Sequence, residues 1–466
     1  MLNSIAGFLE RSAKNSPRKT AVIYKGKIFS YKEFDEKCNK IANALIAKGL
    51  KKGDKVVVST KNKLLESLLC FGILKAGAVE IALDPTDTTK NVESTMRLTD
   101  ARFTISDKDN LDFLYEDNSA NPPKIEFNQN DIAFIQPTSG STGAPKNVVL
   151  THGNFIVPIS ENKYVAERSN DTLFLQMPLC YAYSKSVLLE YVSAGATIHL
   201  SDKIILPQEA FKFIKTNKIT ALEGPPSFYE ALLRFSGFAK EELVDLKYIS
   251  IGGGGASPRL VEALRKAQKQ PVISNRYGLS ETASVVTRIE FKPGEPLEKI
   301  GSCGTVAPYA KIRIVDGEIL VKGQNVMQGY YGQKNDSDAS LKDGWLFTGD
   351  IGEMDSDGYL FITSRKSQII KSQGYRISPV AVEEVLMKIA GIESAACIGI
   401  PNEIFGEIVK ALIVRNDEAL KEVEIASHCN KHLPGFMVPR VVQFIEKMPY
   451  TGNGKIDRKS LRNNYR

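Results

Sequence analysis

The chain has 466 residues, 42% hydrophobic and 25% charged, with a formal net charge of +7. Those shares are typical of a soluble globular protein, and the length allows more than one domain. No apolar run reaches about 18 residues, which excludes a membrane-spanning helix, and no stripe of basic and aromatic residues marks a nucleic-acid surface.

The segment from Met1 to Pro17 lacks the basic start and long apolar core of a secretory signal and reads as a short amphipathic helix. Ser30 is placed to cap a helix whose apolar positions Phe34, Cys38, Ile41, Ala42, Leu45 and Ile46 fall at helical spacing. A strand follows at Lys55 to Thr60, a helix at Leu64 to Lys75 and a strand at Val79 to Leu83. Strands and helices alternating at this spacing predict a parallel sheet with helices on both faces. Asp107 to Asn130 is polar and turn-rich, a surface connection. Short strands are expected at Gly317 to Lys322 and Gly358 to Thr363, and after Arg365 a compact mixed pattern of about a hundred residues suggests a small second domain. Cys38, Cys70, Cys180, Cys303, Cys397 and Cys429 are scattered with no C-x-x-C spacing, which predicts buried, reduced thiols in a cytoplasmic protein. His428, Cys429 and His432 are too few for a convincing metal site.

The stretch QPTSGSTGAPKNVVL, from Gln136 to Leu150, concentrates chemistry. Glycines let a backbone turn sharply and approach a ligand, hydroxyls and N–H groups donate to phosphate oxygens, and a lysine adds charge. A flexible Ser/Gly linker has similar composition. Apolar runs on both sides, Ile132 to Ile135 and Val148 to Leu150, instead favour a tight turn between buried elements. The spacing is not that of a G-x-x-x-x-G-K-[ST] loop, and no protein-kinase motif set is present. The glycine run Gly252 to Gly255 misses the dinucleotide pattern at Ser257.

Five further stretches stand out: YGLSE from Tyr277 to Glu281; WLFTGD from Trp345 to Asp350, read as a strand ending on a carboxylate in a turn; the basic Ser364-Arg365-Lys366; QGYRISP from Gln373 to Pro379, read as the opening of a helix; and TGNGK from Thr451 to Lys455. Singly, each is explained as well by core packing, capping or a solvated turn. In this order, together with TSGSTGAPK and NGKIDR, they resemble the acyl-adenylate-forming superfamily of acyl- and aryl-CoA synthetases, nonribosomal peptide synthetase adenylation domains and luciferases. The resemblance runs from Thr20 to Arg458.

That resemblance implies an α/β fold: a large N-terminal domain of mixed sheets with packed helices over residues 1–366, and a small mobile α+β domain over 367–466. It implies an ATP-dependent activation of a carboxylic acid to acyl-AMP, followed by transfer to a thiol. Thr138, Ser139, Ser141, Thr142 and Lys146 would hold the β- and γ-phosphates, with Gly140 and Gly143 shaping the loop. Thr142 and Glu281 would serve Mg²⁺. Tyr277 would stack on adenine, bordered by Asn275, Gly254 and Gly255, with Gly278 and Ser280 beside it. Asp350 and Arg365 would take the ribose, and Lys455 would bridge the substrate carboxylate and the α-phosphate. Several positions depart from the family pattern: Asn147, Ser364, Ser367 at the hinge position, Gln368 and Ala381. None removes an expected ATP ligand; they bear on the hinge and so on the second half-reaction.

Amino-acid-activating relatives hold the α-ammonium with an Asp in a stretch that corresponds here to Met177–Ser184, MPLCYAYS, which contains no carboxylate. An unpaired buried ammonium is costly, so an aryl or aliphatic acid without an α-amine is expected, in a pocket lined by Tyr181, Tyr183 and Phe228, with Tyr229 nearby. Ordinary core packing explains those aromatics about as well. The acceptor would be CoA or a separate phosphopantetheine carrier protein. An amino-acid adenylation enzyme, a luciferase-like oxidase and a non-catalytic homologue are the alternatives.

Overall fold

The computed structural model describes residues 2–86, 89–107, 109, 118–138, 146–202, 206–283, 285–451 and 455–465. The chain divides into two compact units, one of Met1–Ile312 with Val321–Leu346, the other of Arg313–Leu320 with Phe347–Arg466.

The larger unit is built on two sheets. In the first, the parallel strands Val272–Tyr277, Tyr248–Ile251, Ala221–Gly224, Thr172–Leu175, Thr197–Leu200 and Thr20–Tyr24 lie side by side in that order. Antiparallel strands flank them at both edges, Thr287–Phe291 on one side and Lys27–Ser30 on the other. In the second sheet, Phe103–Ser106, Lys55–Ser59, Val79–Ala82 and Ile132–Thr138 run parallel, and Lys146–Thr151 returns antiparallel to Ile132–Thr138. Parallel strands need crossovers, and helices supply them. Tyr31–Ala47 starts on the expected Ser30, which forms a capping box with Glu33. Lys63–Lys75 starts on Asn62, whose side chain accepts from Leu65 N–H. Their apolar faces join one core with Val56, Val58, Phe134 and Leu173. The expected N-terminal helix is Ala6–Asn15.

The smaller unit carries Phe347–Met354 of the strand Trp345–Met354, paired antiparallel with Leu360–Arg365, and in this pair Asp350 faces Arg365. A second sheet runs Tyr375–Ile377, Ile370–Ser372, Gly406–Arg415, Ile392–Asn402, with Val441–Phe444 parallel to Gly406–Arg415. The helices Pro379–Leu386, Glu422–His432 and Arg458–Tyr465 accompany it.

Two local expectations are corrected. Asp350 lies within a strand, not in a turn. The QGYRISP stretch forms the strand Tyr375–Ile377 before its helix begins at Pro379. Gln373 at φ 53° and Gly374 at φ 82° make the two-residue turn that pairs Ser372 with Tyr375, the positive-φ hairpin geometry that Gly favours. All six cysteines are buried thiols, none of them in a disulfide. Among the described residues no helix is long and apolar enough to cross a membrane, and no cluster of three or more metal-ligating side chains occurs.

Candidate functional site

In the larger unit, the hydroxyl-rich stretch joins two antiparallel strands, as its flanking apolar runs predict. Ser139, Gly140, Ser141, Thr142 and Gly143 lie outside the described residues. Both ends of the loop are defined. Thr138 sits opposite Lys146, and its hydroxyl donates to the Lys146 carbonyl at 3.2 Å. Lys146 Nζ lies 3.2 Å from Asp336 Oδ1 and 4.7 Å from the Tyr330 ring centre. The Tyr330 hydroxyl donates to Glu281 Oε1 at 3.0 Å. Burial first, and then the Glu281 charge, push the Tyr330 pKa up, so the phenol stays a donor. Glu281 is further fixed by its carbonyl, which accepts from Met327 N–H at 2.9 Å. Tyr330 therefore ties the expected metal carboxylate to the base of the expected phosphate loop.

Glu281 and Ser280 lie in the short 3₁₀ turn Ser280–Thr282, which follows the strand Val272–Tyr277 and the exposed Gly278. Tyr277 is buried at the end of that strand. Two residues earlier, the Asn275 amide donates to Ser302 O at 2.8 Å. Its Oδ1 is buried without a donor among the described residues. An acceptor buried and left unpaired by the described residues is unusual.

The glycine run and the expected acid pocket meet at one wall. A Cβ on Gly252 would lie 2.7 Å from Tyr183 Cζ, so only glycine accepts the ring there. Gly254 lies against the Pro226 ring, Gly255 faces open space, and Phe228 covers Gly224. The Tyr183 hydroxyl donates to Glu223 Oε2 at 2.8 Å. Burial and Glu223 together raise its pKa. Arg276 approaches Glu223 Oε2 at 3.5 Å and grips both oxygens of Glu190, at 2.7 and 3.1 Å. The buried charges on this wall are thus paired. Tyr181 donates to Asp84 Oδ2 at 3.0 Å, so a carboxylate from elsewhere in the chain reaches the stretch that has none of its own. Tyr229 is fully buried and donates to the carbonyls of Leu222 and Ser250, which gives it a packing role.

In the smaller unit, Arg365 Nε donates to Asp350 Oδ1 at 2.7 Å. Asp350 is buried while Arg365 is partly exposed. Glu318 organises the adjoining backbone, accepting from Gly349 N–H at 3.0 Å and from Lys366 Nζ at 2.9 Å. Lys455 is exposed. Its N–H donates to Thr451 Oγ1 at 3.2 Å, and its carbonyl accepts from Thr451 N–H at 2.7 Å, closing a loop in which 452–454 lie outside the described residues.

Tyr330, Asp336, Glu223, Glu190 and Arg276 are absent from the residues expected from sequence. Each pairs with a residue far along the chain, and no local pattern signals such a pairing.

The profile of the AMP-binding enzyme family matches residues 9–331, and that of the AMP-binding enzyme C-terminal domain matches 381–455. The chain belongs to the AMP-binding enzymes. This AMP-binding enzyme is 29% identical over 470 residues to a 2-succinylbenzoate–CoA ligase of Listeria monocytogenes serotype 4b, covering 98% of this chain and 99% of that one. It is 27% identical over 533 residues to a long-chain-fatty-acid–CoA ligase of Yersinia pestis, covering 99% and 94%. Its fold is that of ATP-bound MatB from Rhodopseudomonas palustris, with a TM-score of 0.91 at 23% identity and 99% coverage of both chains. The α/β class with a large unit of mixed sheets and a smaller second unit accords with this family.

Proposed function

We propose that this AMP-binding enzyme joins a carboxylic acid lacking an α-amine, aryl or aliphatic, to the α-phosphate of ATP and passes the acyl group to a thiol. The single observation that carries this is the end-to-end similarity to CoA ligases named for a succinylbenzoate and for long-chain fatty acids. In the first half-reaction a carboxylate oxygen forms a bond to the α-phosphorus, and the bond to the β-phosphate bridge breaks, releasing pyrophosphate. In the second, the thiol loses its proton, attacks the acyl carbonyl, and AMP leaves.

Two anions must approach each other in the first step, so cations and donors on the phosphates are needed. Thr138, Ser139, Ser141, Thr142 and Lys146 fill that role, with Lys146 exchanging Asp336 for phosphate. Mg²⁺ binds through few carboxylates and keeps phosphate and water ligands; Glu281 beside the loop suits it, with Thr142, and the ion would neutralise charge on the phosphates. Asn275 and Tyr277 hold the base, Asp350 and Arg365 the ribose, and Lys455 steadies charge growing between acid and phosphate. CoA is the preferred acceptor, with a separate carrier protein as the other candidate, and the cytoplasm is the proposed location. A hinge at Ser367, between 1–366 and 367–466, would let Lys455 withdraw for the second step.

The acid class has a physical basis. Glu223 is committed to Tyr183 and Arg276, and Asp84 to Tyr181 and the Thr86 hydroxyl. Beside Tyr183 an α-ammonium meets a carboxylate already paired with Arg276, and burying it unpaired there costs several kcal/mol, whereas Asp84, bonded to neutral hydroxyls, is the carboxylate that an α-amino acid would have to reach. ATP–pyrophosphate exchange at matched concentrations tests this: benzoates, cinnamates or fatty acids should support exchange, and the standard α-amino acids should not. Mass analysis with CoA then identifies the thioester. An α-amino acid outperforming every simple acid would overturn the assignment and make Asp84 the first residue to replace.

A further inference from the structure

We propose that the buried ion pair between Arg458 and Glu383 positions Lys455 for the first half-reaction; this role rests on the adenylation role proposed above for Lys455. Lys455 is exposed, and the backbone beneath it sets where its side chain starts. That base is a small knot: Tyr450 bridges to Ile456, Asp457 N–H donates to Pro449 O at 2.9 Å, and Arg458 opens the helix Arg458–Tyr465. The helix has eight residues, of which Leu461 alone is fully buried. A helix so short is marginal without tertiary anchors.

Arg458 is the polar anchor. Its guanidinium makes two parallel bonds to Glu383, Nη1 to Oε1 at 2.6 Å and Nη2 to Oε2 at 2.7 Å, and a third to Cys397 O at 3.1 Å. Glu383 Oε1 also accepts from Cys397 N–H at 2.6 Å. Cys397 belongs to Ile392–Asn402, the edge strand of its sheet. Edge strands present N–H and C=O groups that a neighbouring strand would otherwise pair. Here one arginine and one glutamate take both backbone groups of a single edge residue. The planar fork fixes orientation as well as distance. Arg458 is three residues from Lys455, so its tether spans at most ~11 Å.

Apolar contacts already hold this segment: Leu461 and Met448 pack with Ala396, Ile398, Leu412 and Val414. A buried ion pair is a weak source of stability, and its better-attested use is to specify one arrangement. Shifting a catalytic group by about 1 Å can cost ~100-fold in rate.

Arg458→Lys keeps the cation and removes the fork. Glu383→Gln keeps the shape and removes the charge. In the full-length enzyme each should lower pyrophosphate exchange by about 10- to 100-fold, through kcat with KM for ATP little changed, while thioester formation from supplied acyl-adenylate persists. Lys455→Ala should lower exchange ~100-fold or more. Adding Arg458→Lys to it should slow exchange no further, because the positioned group is gone. Near-uniform loss of both half-reactions, multiplying losses in the double variant, or wild-type exchange in both Arg458→Lys and Glu383→Gln would overturn the positioning role. Should Arg458→Lys lose its near-ultraviolet circular dichroism, Glu383→Gln decides alone. Wild-type exchange in Lys455→Ala would instead remove the adenylation role itself, and that result is read without touching the ion pair.

Discussion

Gly252→Ala should strain the wall shared by the glycine run and Tyr183. The new Cβ would sit 2.7 Å from Tyr183 Cζ, 2.8 Å from Cε2 and 3.0 Å from the hydroxyl oxygen. Carbon atoms prefer about 3.5–4.0 Å, so the ring must retreat by roughly 1 Å. Its retreat is opposed at the far end: the hydroxyl is bonded to Glu223, and Arg276, itself gripped by Glu190, lies 5.2 Å from the ring centre. Overpacking of this kind costs about 1–3 kcal/mol, and breaking a hydrogen bond to a buried carboxylate adds about 1.5–3 kcal/mol. We expect urea unfolding to show a loss of about 1–3 kcal/mol if the bond survives and more if it breaks, with a raised KM for the acid in pyrophosphate exchange. In a Tyr183→Ala background the same substitution should cost under about 0.5 kcal/mol, since the clash is gone. Equal costs in both backgrounds would refute the packed wall.

Stability should also depend on His152. This side chain is buried, its Nδ1 accepts from Ile5 N–H at 3.2 Å, and burial lowers its pKa from 6.5 to about 4. The folded value lies below the unfolded one, so the contribution is complete above about pH 6.5, declines as pH falls towards 4, and amounts to about 3 kcal/mol; His152→Asn should flatten that slope in urea midpoints measured from pH 7 to 4, and an unchanged slope would refute it. Ser367→Pro should slow thioester formation more than adenylation, because proline locks φ and the bonds of that turn run instead from Gln368 and Ile369 N–H to Arg365 O; wild-type rates in both steps would place the hinge elsewhere.

What the sequence made legible was local. Ser30 with Glu33 signalled a helix start, and the apolar runs on either side of residues 139–145 signalled buried strands there. The wrong details were local patterns with two solutions. WLFTGD ends in Gly349 and Asp350, a turn-like pair, yet Asp350 is claimed by the facing strand through Arg365. QGYRISP contains a genuine helix cap in Ser378, but Gln373-Gly374 ahead of it makes a hairpin first. The parts that stayed hidden are pairs separated by long stretches of chain, such as Tyr330 with Glu281, Arg276 with Glu190 and Arg458 with Glu383. Their meeting is set by strand order, which no spacing rule encodes. The motif residues were readable because a resemblance named them; the residues that hold the motif residues in place were not.

The six buried cysteines have a practical consequence. Alkylating reagents attack the thiolate, and burial raises the pKa of Cys38, Cys70, Cys180, Cys397 and Cys429. With every native thiol out of solvent, the folded enzyme offers maleimide dyes a silent background. Val244 in the larger unit and Val423 in the smaller are 84% and 77% exposed. Cysteines introduced at those two positions would carry a donor and an acceptor dye with no native residue removed, and the motion proposed about Ser367 would be followed as a change in energy transfer during turnover.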